Sequence, residues 1–205
     1  MPGRRSYTDA DVAVAAKQVF WERGYEGTAV DALQDATGLS RSSLYLAYDT
    51  KRAVFDAALA DYITTFVDPR LGLVEAPDAG LREAAAFFRG LADYFSGPDA
   101  GRGCLLINAI AELAGRDPSF SPLAADFTMR VRAAFTNALG HAAADGAMNR
   151  RQVSRRTEML TASLFGVWLA VRSDSPAAAI TCRSIAQEIT SWARPVPSNA
   201  RRSGS

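Results

Sequence analysis

The stretch Thr37–Phe55, TGLSRSSLYLAYDTKRAVF, decides the fold. It reads as the end of one helix, a glycine corner, a short helix and the start of another. Gly38 breaks the chain and Ser40 is placed to cap the next helix, whose inward residues are expected to be Leu44, Ala47 and Tyr48. Thr50 then caps a longer helix running to about Phe66. Working back, Thr28 is expected to cap a helix with Asp31 at its third position and Val30, Leu33 and Ala36 facing inward. Before it, Thr8 with Asp11 forms a variant capping box. Val12, Ala15, Ala16, Val19 and Phe20 then make one apolar stripe, ended by Gly24.

Apolar residues on either side of a glycine corner are what a helix-turn-helix needs. In such a unit Arg41, Ser42, Ser43 and Tyr45 occupy the outer face of the third helix, whose first residues point at base edges. Arg41 could grip guanine with two hydrogen bonds, and Ser42 and Ser43 could meet base or phosphate. Tyr45 could donate to a phosphate. Thr28 and Lys51, at the starts of the second and fourth helices, suit phosphate as well. The competing reading is a plain Gly corner in a helical protein, with Arg and Ser as solvated surface. Both readings remain open at the level of residues alone.

The bulk composition tilts neither way. The chain has 205 residues, 48% hydrophobic and 22% charged, with a formal net charge of +1. That length buries roughly 70% of its unfolded surface, so no metal or disulfide is needed for folding. Residues 1–52 carry seven Lys and Arg against seven Asp and Glu, so any DNA affinity must come from where the cations sit. Cys104 and Cys182 are too few and too far apart for a disulfide framework. Nothing at the N-terminus reads as a signal peptide and no apolar run reaches membrane-spanning length, so a cytoplasmic protein without membrane contact is expected.

Further along, Asp68 to Ala79 holds two prolines and reads as a linker. Helices are then expected over Gly80–Phe95, Gly103–Ala114, Ser119 or Ser121 to Ala144, Arg155–Arg172 and Pro176–Trp192. The expected fold is all-α. Residues 8–52 are expected to form a helix-turn-helix unit with its motif at about 29–48, residues 53–67 a connecting helix, and residues 79–193 a second helical domain. Flexible tails are expected at 1–7, which carries Arg4 and Arg5, and at 194–205.

The segment Val19–Leu59 resembles the N-terminal domain of the TetR family of transcriptional regulators. The matching features are Phe20, Arg23–Gly24–Tyr25, Thr28–Ala29–Val30, Gly38–Leu39–Ser40, Leu44–Tyr45, Lys51 and Phe55, at the family's spacing without a gap. The resemblance implies that Thr28, Arg41, Ser42, Ser43, Tyr45 and Lys51 face DNA, the same side chains the geometry selects. Gln34 replaces the family's usual small Ala, Leu46 and Ala47 stand where polar or aromatic residues are common, and Asp49 replaces a frequent Pro or Gly. RGCLLINAIAELAGRDPSF, Arg102–Phe120, is similar to a branch carrying Gly-Cys, Asn, Glu and Asp-Pro in the ligand-binding and dimerisation domain.

The implied function is a homodimeric repressor, released from a near-palindromic operator by a small apolar or electrophilic inducer or by thiol modification. Cys104, Asn108 and Glu112 share one helix face. Cys104 is either buried packing, with Asn108 and Glu112 satisfying backbone, or a thiolate favoured by the helix start and by Arg102. Phe87, Phe88, Leu91, Tyr94, Phe127, Phe135, Phe165 and Trp168 are mostly core, and Phe87, Leu91, Phe127 and Trp168 with Cys104 and Asn108 are the candidates to line a ligand pocket. Leu160, Leu164, Val167, Trp168, Val171, Ile180, Ile185 and Ile189 are expected to offer faces to a second subunit. No cofactor or metal is expected, since His141 is the only histidine and has no ligand spacing around it. No catalytic constellation is present, so the chain reads as a non-enzyme. The alternative is a helical small-molecule binder that has lost DNA recognition.

Overall fold

Each helix of the N-terminal unit starts or stops where a side chain or a glycine disposes of its orphan backbone groups. In the computed structural model, which describes residues 8–193, α1 spans Asp9–Arg23. Thr8 accepts from Asp11 N while the Asp11 carboxylate accepts from Thr8 N, and Gly24, at φ 74°, closes the helix. Helix α2 (Val30–Thr37) ends at Gly38 in the left-handed region, φ 69° and ψ 10°. Helix α3 (Arg41–Tyr48) is capped by Ser40, and α4 (Lys51–Tyr62) by Thr50. The expected tails at 1–7 and 194–205 lie outside the described residues.

The inward faces are narrower than the pattern suggested. Leu33 and Leu44 are fully buried, but Ala36 and Ala47 are exposed, and Thr37 is buried in their stead with its hydroxyl donating to Leu33 O. Two eight-residue helices meet at the corner, so only one stripe of each reaches the core. Phe20 and Phe55 pack edge to face at 5.0 Å and Tyr25 lies 5.0 Å from Phe55, closing the core under α1 and α4.

The expected linker at Asp68–Ala79 is a helix for most of its length. After α4 the backbone widens over Ile63–Val67, where Asp68 N–H reaches Ile63 O, five residues back. Helix α5 (Asp68–Glu75) follows without a break, Val67 and Asp68 both being helical, and Pro69 falls just after the widened turn, where the regular ladder is already interrupted. A proline read as a breaker here sits inside a continuing helix.

Beyond it come α6 (Leu81–Tyr94), α7 (Leu105–Leu113), α8 (Ser121–Ala144), α9 (Arg150–Ala170) and α10 (Ser175–Ser191). Helix α9 begins earlier than expected because Asn149 and Gln152 form a reciprocal capping box. Helix α10 packs on α6, and α8 lies along α9 and α5. No strand occurs among the described residues. The faces expected to meet a second subunit are largely turned inward: Leu160, Leu164, Val167, Trp168, Val171 and Ile189 are buried within this chain. The outward stripe of α9 is instead Met159, Ala162, Gly166 and Leu169, and α10 exposes Ile180, 61% accessible.

Candidate nucleic-acid interface and sensing cavity

Helix α3 presents one side to the core and the rest to solvent. Leu44 alone is buried, while Arg41, Ser42 and Ser43 are exposed and Tyr45 is half-buried. The hydroxyls of Ser42 and Ser43 each lie 2.9 Å from Ser40 Oγ, forming a small polar cluster at the helix start. Arg41 leans over the Tyr45 ring at 5.7 Å, and Lys51 Nζ sits 4.6 Å from the Tyr25 ring centre. Neither Arg41 nor Lys51 is paired with a carboxylate among the described residues.

Thr28 is elsewhere. It is 1% exposed and its hydroxyl donates to Gly24 O at 2.6 Å, so it neither caps α2 nor faces outward. The positive φ at Gly24 turns that carbonyl toward Thr28, and a hydroxyl that finds a partner inside is spent there. Helix α2 has Ala29 at its N-cap position and so no side-chain cap, which leaves its first amides to outside partners. Leu46 stands fully out at 88% exposure, beside Ala47, where a further polar contact would otherwise reach. Asp49 takes φ 55° to end α3, a conformation glycine adopts more easily.

The two halves are joined through α7 and its flanks. The Glu112 carboxylate accepts from Tyr25 N at 3.0 Å and Glu26 N at 2.7 Å, clasping the turn between α1 and α2. Gly24 sits so close that a Cβ there would meet Glu112 Oε2 at 2.9 Å. At the other end of α7, the Trp21 indole donates to Gly103 O at 2.9 Å and Arg102 covers the Trp21 ring at 4.3 Å. Arg52 pairs with Asp56 and with Asp117, and Lys17 with Asp61. Asn108 donates to Arg102 O, so the packing alternative describes Asn108 and Glu112.

Cys104 is the N-cap of α7 and faces the other way, into a cavity among α5, α6, α8 and α9. Phe87, Leu91, Phe127 and Trp168 line it with Cys104, whereas Asn108 does not; it lies in the cleft between α7 and α1. Cys104 is the N-cap, with extended φ −96° and ψ 122°, so its side chain does not follow the helical spacing that would put it on one face with Asn108. The cavity measures about 30 Å³, room for one water. Burial pushes the Cys104 thiol up from its ordinary value, offset in part by the Tyr62 hydroxyl and the Arg70 charge. Arg102, expected to favour the thiolate, is turned away over Trp21. Burial likewise raises the Cys182 thiol to about 12 and the Tyr94 phenol to about 12. His141 Nδ1 meets Ala79 O at 2.7 Å.

The sequence did not point to Glu112 as a link to the N-terminal unit, nor to Arg70 beside the cavity. Glu112 carried a faint signal in its Cys-Asn-Glu spacing; Arg70 carried none, because it sits in the supposed linker. Among the described residues no three His, Cys, Asp or Glu side chains converge as a metal site requires, and no helix is long and apolar enough to cross a membrane.

Comparison with known proteins follows the same division. Residues 13–58 match the family described as bacterial regulatory proteins, tetR family. The HTH-type transcriptional repressor ComR of Escherichia coli K12 is 32% identical over 108 residues, 52% of this chain and 51% of ComR. The match thus spans about half the length of that relative. YezE of Bacillus subtilis 168, an uncharacterised HTH-type transcriptional regulator, is 28% identical over 149 residues, 73% of this chain and 77% of YezE. In fold, the chain is similar to a cysteine mutant of the regulator CifR complexed with 26-bp operator DNA. That likeness has a TM-score of 0.74 at 23% identity, over 91% of this chain and 97% of CifR.

Proposed function

The chain belongs to the TetR family of bacterial regulatory proteins through residues 13–58, and on that premise we propose that it is a DNA-binding transcriptional repressor. The observation that carries the reading is α3, an N-capped helix buried through Leu44 alone, with Arg41, Ser42 and Ser43 outward. Such a helix fits the major groove with its first residues against base edges. Arg41 reads a base, Ser42 and Ser43 meet base or phosphate, and Tyr45 and Lys51 hold phosphates, joined by the uncapped amides of α2. Thr28 supports that turn from inside.

The working unit is a homodimer in the cytoplasm, paired through the outward faces of α9 and α10. Small residues such as Ala162 and Gly166 let helices approach closely, and Met159, Leu169 and Ile180 supply the apolar area. Two reading helices then meet half-sites at least about 34 Å apart on a near-palindromic operator. The cavity behind Cys104 is the sensor. An occupant, or modification of the thiol once exposed, displaces the start of α7. Because Glu112 holds the turn between α1 and α2, that displacement reaches the reading helix and breaks the spacing of the half-sites.

Selection of duplex DNA from a randomised pool by the purified protein tests the reading. The expected product is one sequence with two inverted half-sites. Enrichment of no sequence would leave only a helical small-molecule binder.

A further inference from the structure

Several cations that sit against the core find carboxylates: Lys17 meets Asp61, Arg52 meets Asp56 and Asp117, and Arg130 meets Asp68 and Glu75. Arg70 on α5 does not. Asp68 and Glu75, the acids of its own helix, are both held by Arg130 from α8, each at 2.6 Å. Arg70 lies instead on aromatic rings, its Cζ 3.7 Å from the centre of Phe66 and 5.3 Å from that of Tyr94. Its one recorded hydrogen bond donates to Phe66 O at 2.9 Å, and no carboxylate lies in ion-pair range among the described residues. The remaining donors of the guanidinium have no protein partner there.

Arg70 also lines the cavity behind Cys104, the only charged side chain in a wall of Phe, Leu, Val, Trp and Cys among the described residues. Tyr94 lies under the same guanidinium, outside the cavity wall. We propose that the cavity takes a small apolar acid, a flat or short hydrocarbon body carrying one carboxylate, anchored by Arg70. This rests on the reading of the C-terminal half as a sensor and names the ligand class for it.

The physical case rests on a part-buried cation without a carboxylate at the wall of an apolar cavity. A guanidinium resting on aromatic faces has lost part of its hydration, so an anion that reaches it pairs in a weakly screened setting. An uncharged ligand of the same shape gains burial alone, and a cationic one meets repulsion. The cavity is contracted to about 30 Å³, so the ligand must open it. On this proposal the opening falls at Phe66 and Val67, which line the cavity from the widened segment between α4 and α5, where helix hydrogen bonding is least regular. An acid drawing Arg70 off Phe66 therefore pulls on the element that continues α4 toward the DNA-binding unit.

The test uses calorimetric titration of the full-length protein with cinnamate and with cinnamamide, which share a shape and differ in charge. Wild type is expected to prefer the acid by about tenfold. Arg70→Met, which keeps the bulk and the apolar surroundings, should bring the two affinities together, and Arg70→Lys should restore part of the preference. Thermal unfolding of the variants checks that both are folded. An acid preference that persists in Arg70→Met, an amide bound as tightly as the acid by wild type, or binding of neither overturns the proposal. Operator binding by the same preparations separates the failures. If it is intact, only the ligand class is wrong; if it is absent, the regulator reading falls first.

Discussion

Arg41 and Lys51 are both cations of the N-terminal unit without a paired carboxylate, yet they differ in what they predict. Arg41 leads α3 and is exposed, so Arg41→Ala should cost about 1–3 kcal/mol of binding free energy at one base position and relax selectivity there. Lys51, at the first position of α4, should act as a phosphate anchor. Lys51→Ala should weaken all sequences about equally and lower the salt slope by about one. Competition binding against single-base operator variants separates the two. These outward residues were legible because a capped helix with one apolar position leaves its other faces free. Thr28 was not. Its inward turn depends on where Gly24 O points, which a hydroxyl in a sequence string does not reveal.

At the scale of elements, the short helices announced themselves through Thr8, Gly24, Gly38, Ser40 and Thr50, all of which cap or stop as read. What stayed hidden were features that depend on partners far along the chain. Helix α5 hid behind Pro69 because the preceding widened turn, which makes the proline tolerable, has no signature of its own. The Glu112 clasp joins residues 86 and 87 positions apart, beyond any local pattern. That clasp carries a prediction. Glu112→Ala leaves two amides without their acceptor and should lower stability by about 1–3 kcal/mol in denaturant unfolding, while Glu112→Gln, keeping one oxygen, should lose less. If the clasp also transmits the signal, Glu112→Ala should retain ligand binding and release DNA less completely when ligand is added.

For the whole molecule, the all-helical fold followed from composition and caps, but the division between inner and outer faces of α9 and α10 did not. Both faces of these helices carry apolar residues, and only packing against α6 and α8 decides which are spent inside. Met159→Glu with Ile180→Glu should therefore turn the expected dimer into a monomer by sedimentation. Substitution at buried Leu164 should instead unfold the chain. Acid should act through three carboxyls held below their ordinary values. Thr8 hydrogen bonds lower Asp11, the Gly80 N–H lowers Glu83, and Ser119 with Arg52 lowers Asp117. Their folded values lie below the unfolded ones, so the stability they add is full above the ordinary carboxylate range and lost as pH falls through the depressed values. The melting temperature should be level from about pH 5 to 8 and fall below about pH 4. The measurement that bears most directly on the central claim is affinity for the selected operator and for a scrambled duplex across a salt series, with Tyr45→Ala alongside. The account predicts selective binding that weakens steeply with salt and is reduced in the variant. Equal affinity for both duplexes, or none, would contradict it.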